Sequence, residues 1–142
     1  MTDRTNLASK LADLKLFQKV LLESEQKLMA ETDDGKIRER LEKMVSQDQE
    51  NMGGIEEAIA KLGNVPEARD ITQKHAEMVS KMMAGSELTA YDKFFQLELL
   101  KHQQTMTGLV LHKAAQSLDD DLQDAMEPLN KVNFENRAHQ EV

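Results

Sequence analysis

Apolar residues return every three or four positions along almost the whole chain, as in helices that bury one face. In the first segment Leu7, Leu11, Leu14, Leu21 and Leu28 keep that spacing, with Gln18 and Glu25 in the two gaps, which predicts a helix from about Asn6 to Glu31. Thr32-Asp33-Asp34-Gly35 then reads as a turn in which Asp33 or Asp34 caps the next helix. That helix runs from about Lys36 to Leu62 on the stripe Leu41, Val45, Asp48, Met52, Ile55, Ile59 and Leu62, with Gly53-Gly54 inside it as a kink or a close helix approach. Gly63-Asn64-Val65-Pro66 ends it.

A shorter helix, about Glu67 to Ala84, is expected to carry Ile71, His75, Met78 and Met82 on its inner side. Gly85-Ser86 breaks the pattern, and Ser86 is expected to cap a further long helix, about Glu87 to Gln116, with Phe95, Leu99, His102, Met106, Leu109 and Val110 as its core face. After Asp119-Asp120-Asp121, a last helix follows Leu118, Leu122, Ala125, Leu129, Val132, Asn136 and His139, with Pro128 kinking or dividing it. No hairpin dipeptide and no alternating strand appears. The pattern predicts an all-α chain, residues 1–142 as one domain: an antiparallel four-helix bundle with an additional short helix between the second and third long ones.

Composition narrows the chemistry. The chain has no cysteine, which removes disulfides, thiolate chemistry and Cys-ligated metal centres. No apolar run reaches the length of a membrane span, and the first residues do not form a signal peptide, so the expected location is the cytoplasm, with no membrane partner. Eighteen Lys and Arg against 26 Asp and Glu give a net charge of −8, which argues against a nucleic-acid partner. No serine stands in a nucleophile turn beside a histidine, and there is no phosphate-binding glycine loop. Nine methionines and few aromatics suggest a deformable core.

The informative positions are polar ones on the apolar stripes, because a buried ionisable group must be paired, hydrogen-bonded or metal-bound. The first helix presents Gln18 and Glu25, the second Asp48 with Asn51, the third long helix His102 with Glu98, and the last His139 with Glu135. Counting residues from each turn sets Gln18 opposite Asp48, His102 opposite Glu135, and Glu98 opposite His139. Such pairs would serve as metal ligands or as hydrogen-bonded core pairs, since neutral imidazole can donate to a carboxylate.

The stretches Glu98-Leu99-Leu100-Lys101-His102-Gln103-Gln104 and Asn133-Phe134-Glu135-Asn136-Arg137-Ala138-His139-Gln140-Glu141 resemble parts of small bacterial proteins of the ferritin-like superfamily and of hemerythrin-like bundles. The ferritin-like di-iron pattern falls here on Gln18, Asp48 with Asn51, His102, and Glu135 with Ala138, and His139 stands one residue further on. The resemblance implies a di-metal or mono-metal centre of iron, manganese or zinc, drawn from His102, Glu135, His139, Glu98, Asp48 and Glu25, with a redox or stress-related role. The alternative is a metal-free scaffold acting as a non-enzymatic interaction or dimerisation module, with a homodimer as the expected assembly.

Overall fold

Glycine and proline are absent between Asp3 and Glu31, and the stretch is rich in Leu, Lys, Ala, Gln and Glu, so nothing interrupts its backbone ladder. The computed structural model describes residues 3–63 and 65–116, together with Asp124, Glu127, Pro128, Leu129 and Val132. Four helices lie within it: α1 (Asp3–Glu31), α2 (Gly35–Leu62), α3 (Asp70–Ala84) and α4 (Ala90–Gln116). The described residues are helical, turn or irregular, without strands. None of these helices is long and apolar enough to cross a membrane.

Capping chemistry sets the boundaries. The Thr32 hydroxyl donates back to the Leu28 carbonyl at 2.7 Å as α1 ends. Asp34 then starts α2, its Oδ1 accepting from the amides of Lys36 at 2.9 Å and Ile37 at 3.2 Å. α4 begins later than expected. Thr89, rather than Ser86, supplies the cap: its hydroxyl accepts from the Asp92 amide at 3.2 Å, and the Asp92 carboxylate accepts from the Thr89 amide at 3.3 Å. This reciprocal pair satisfies two amides that a start at Glu87 would leave open. α3 likewise starts at Asp70, not Glu67.

α1 is the central element and packs against each of the other three helices. Its expected face is the observed one: Leu7, Leu11, Leu14, Leu21 and Leu28 are all buried, and so are Gln18 and Glu25. α2 buries Leu41, Val45, Asp48, Asn51, Ile55, Ala58 and Leu62. For α3 and α4 the expected faces were wrong. α3 buries Thr72, Ala76, Val79 and Met83, whereas Ile71, His75 and Met78 face outward. α4 buries Lys93, Leu97, Leu100, Lys101, Gln104, Thr105 and Leu111, and leaves Phe95, Leu99, His102, Met106 and Val110 exposed. α4 carries apolar residues on both sides, so its own periodicity does not choose between them.

The core forms two apolar clusters. One joins Leu7, Leu11 and Leu14 of α1 to Ile55, Ala58 and Leu62 of α2, to Leu111 of α4, and to Leu129 and Val132. The other joins Phe17, Leu21 and Leu28 to Leu41, to Ala76, Val79 and Met83 of α3, and to Leu97 and Leu100. Beyond α4, Glu127 and Pro128 form a turn, and Leu129 and Val132 are helical.

Of the glycine pair in α2, only Gly54 marks a close approach. A Cβ there would meet Val132 Cγ2 at 3.1 Å and the Pro128 carbonyl oxygen at 3.2 Å, whereas Gly53 has open space around it. Gly53→Ala should therefore stabilise the protein by roughly 0.5–1 kcal/mol through helix propensity. Gly54→Ala should forfeit that gain against the Pro128 backbone. Urea unfolding of the two variants compares them directly.

Candidate functional site

Between the two apolar clusters lies a layer of buried polar side chains contributed by α1, α2 and α4. Asp48 is fully buried, and both its oxygens accept from Lys101 Nζ, at 2.7 and 2.6 Å. Lys101 is only 2% exposed, so its whole stem crosses the core to reach Asp48. Asp48 Oδ1 also accepts from Asn51 Nδ2 at 3.1 Å. Gln18 Nε2 donates to the Asp48 carbonyl at 3.0 Å. Gln104 Nε2 reaches Gln18 Oε1 at 3.1 Å and the Leu14 carbonyl at 3.0 Å. Gln18 and Asp48 thus face each other, as residue counting expects. A second buried lysine of α4, Lys93, holds both carboxylate oxygens of Glu31 at 2.8 Å.

Glu25 completes the layer. It is buried, and neither of its oxygens has a donor among its neighbours. Burial pushes its pKa up to about 10, reinforced by the adjacent Asp48 carboxylate and only partly opposed by Lys101. Glu25 is therefore a neutral acid at pH 7 and can itself donate toward Asp48. The layer then holds one cation, one anion and one neutral carboxyl, with its charges balanced.

The expected ligand set divides. Glu25 and Asp48 do come together, but they share Lys101 rather than a histidine. His102 and Glu98 are exposed on the opposite side of α4. Their expected partners, Glu135 and His139, lie outside the described residues. Among the described residues no three His, Asp or Glu side chains are grouped to hold a metal ion. Sequence reasoning passed over Lys101 and Lys93 because lysine normally marks a solvated face. The available signal is that Lys93, Leu97, Leu100, Lys101, Gln104 and Leu111 keep helical spacing as regularly as Phe95, Leu99, His102, Met106 and Val110.

Next to the polar layer, α1, the start of α3 and α4 border an open cavity of about 430 Å³. Lys10, Asp13, Arg69, His75, Gln103 and Gln104 are among its lining residues. Arg69 bonds Asp13 Oδ2 at 2.9 Å. His75 sits edge-on to Phe17, ring centres 5.2 Å apart. Gln104 links the cavity wall to the buried layer. The space thus brings Lys10, Arg69 and the His75 ring together, with the Asp13 carboxylate paired to Arg69.

No family model matches the chain, and no solved structure matches it. Among curated proteins it is similar to a DNA nickase of Nostoc sp. (strain PCC 7120), with 43% identity over 140 residues. The match takes in 99% of this chain and 40% of the relative, so the chain spans less than half of that protein's length. This relationship corrects three expectations. The metal-binding role of redox or stress type gives way, and so does the metal-free scaffold acting as a non-enzymatic interaction or dimerisation module. The exclusion of nucleic acid also falls, because net charge averages over a surface on which cations can still be gathered locally.

Two variants probe the buried layer. Glu25 has a folded-state pKa above its ordinary value of 4.5, so its contribution to stability is complete below pH 4.5 and is lost progressively as pH rises toward about 10. Glu25→Gln should remove that decline, gaining on the native protein at each step of alkalinity in urea unfolding between pH 5 and pH 9. Lys101→Met should cost about 3–5 kcal/mol, because Asp48 would be left buried without its counter-charge. A loss of under about 1 kcal/mol would mean that the pair does not hold the core together.

Proposed function

We propose that this chain is a helical module of a DNA-processing protein and takes part in nicking duplex DNA. The observation that carries the reading is the 43% identity, extending over almost every residue, to a protein named DNA nickase. Support from the fold is the cavity between α1, α3 and α4. Lys10 and Arg69 would meet the sugar–phosphate backbone there, and His75 would serve as the proton-transfer group. We also read the helices as an antiparallel bundle of ferritin-like type. The early residues of α1 share a cluster with the late residues of α2, and the late residues of α1 share one with Leu41. A cytoplasmic location, with access to DNA, follows from the same reading.

The test is a supercoiled plasmid incubated with the purified chain. Conversion to open circles, together with duplex binding that weakens as salt is raised, is the expected result. A protein that neither nicks nor binds DNA at low salt would refute the proposal. Arg69→Ala should lower the slope of log affinity against log salt by about 1, as loss of one phosphate contact requires. His75→Ala should abolish nicking and leave binding within about twofold, separating proton transfer from backbone contact. Fluorescence anisotropy of a labelled duplex measures the first, and gel analysis of the plasmid the second.

A further inference from the structure

An amine and a carboxylate condense to an amide when they are held in contact, water is kept away, and an acid stands by to move protons. The layer around Asp48 meets all three conditions. Lys101 Nζ lies 2.7 and 2.6 Å from the two Asp48 oxygens, and is therefore close to the carbon between them. Both side chains are sealed from water. Glu25 is enclosed with them, borders Asp48 and, as a neutral acid, carries the proton that a condensation must pass on. We propose that Lys101 and Asp48 join covalently, the Lys101 amine condensing with the Asp48 side chain to an amide and one water, with Glu25 as the proton carrier. The ion-paired layer is the reactant state, and the product ties α2 to α4 across the core.

The step needs no co-reactant. A proton first passes from the Lys101 ammonium to Asp48 Oδ2, leaving a free amine beside a carboxylic acid. Burial favours this neutral pair, because the charged forms lack their hydration there. The nitrogen lone pair then attacks the Asp48 side-chain carbon. The C–N bond forms and the carbonyl electrons move onto Oδ1, to which Asn51 Nδ2 already donates at 3.1 Å. Glu25 gives its proton to the Oδ2 hydroxyl and takes one from the nitrogen, the C–Oδ2 bond breaks, and water leaves. Glu25 is again a neutral acid, and nothing is oxidised or reduced. The other lysine pair of α4 lacks one of the conditions. Lys93 holds both oxygens of Glu31 at 2.8 Å, yet the Glu31 side chain is 42% exposed, so water stays at that carboxylate and no amide is expected. The Asp48–Lys101 amide closes a loop between residues 53 positions apart, which restricts the unfolded chain as a disulfide would.

Mass spectrometry of the full chain under denaturing conditions tests the proposal, on freshly purified protein and after several days at neutral pH. The native chain should be lighter than its sequence by one water. A tryptic digest should contain residues 44–61 joined to residues 94–113, with cleavage blocked after Lys101. Glu25→Gln should keep the full sequence mass, because its amide cannot carry the proton, and Lys101→Arg should keep it for want of an amine. The native chain incubated unfolded in guanidinium chloride should keep it too, since water then reaches the pair. This comparison of folded with unfolded native chain decides the matter even where a substitution prevents folding. The peptides of Lys93 and Glu31 should stay separate. A folded native chain that keeps its full mass after incubation would overturn the proposal, as would an equal loss in Glu25→Gln or in guanidinium chloride. So would a water lost within the peptide that bears Asp34-Gly35, which would assign the loss to cyclisation of that aspartate.

Discussion

A lysine and an aspartate, buried together where three helices meet, govern the rest of this structure. Removing both charges from water is costly, and their attraction compensates only while each keeps the other and the lone pairs are satisfied. Asn51 and Lys101 supply the Asp48 carboxylate, Gln18 takes the Asp48 carbonyl, and Gln104 secures Gln18. Burial, reinforced by the neighbouring Asp48 carboxylate and only partly opposed by Lys101, keeps the proton on Glu25. The layer divides the core into two apolar halves and penalises any sliding of α1, α2 and α4 past one another. A purely apolar interface would tolerate such sliding far better.

The same pair decides the orientation of α4. This helix has two stripes, one apolar and one interrupted by Lys93, Lys101, Gln104 and Thr105. Burying the apolar stripe would have gained more from the hydrophobic effect alone. It would also have left Asp48 buried without a counter-charge, a penalty of several kcal/mol. The stripe with the lysines goes inside, and the apolar one is left facing out. The internal charge pairing and the outward strip of Tyr91, Phe95, Leu99, Met106 and Val110 are thus two consequences of one choice.

A net charge of −8 is an average over the surface and does not fix the charge gathered at any one place on it. Lys10 and Arg69 stand on separate elements and are brought to one cavity by the packing of α1 against α3. The Arg69–Asp13 ion pair ties the segment before α3 to α1 and so fixes the position of that wall.

Helical class, the end of α1, the limits of α2, a cap at Asp33 or Asp34, the inner face of α1 and most of that of α2 were legible in the chain. Each follows from local rules: uninterrupted helix formers, a three-and-four spacing, and an aspartate at a turn. Gln18, Glu25 and Asp48 could be identified as interior polar groups because they interrupt otherwise apolar stripes. The inner face of α4, the burial of Lys101 and Lys93, and the outward turn of His102 and Glu98 depended on tertiary structure. A lysine reads as a surface residue until its counter-charge is known. That counter-charge lies 53 positions away on another helix, and only folding brings it within 2.6 Å.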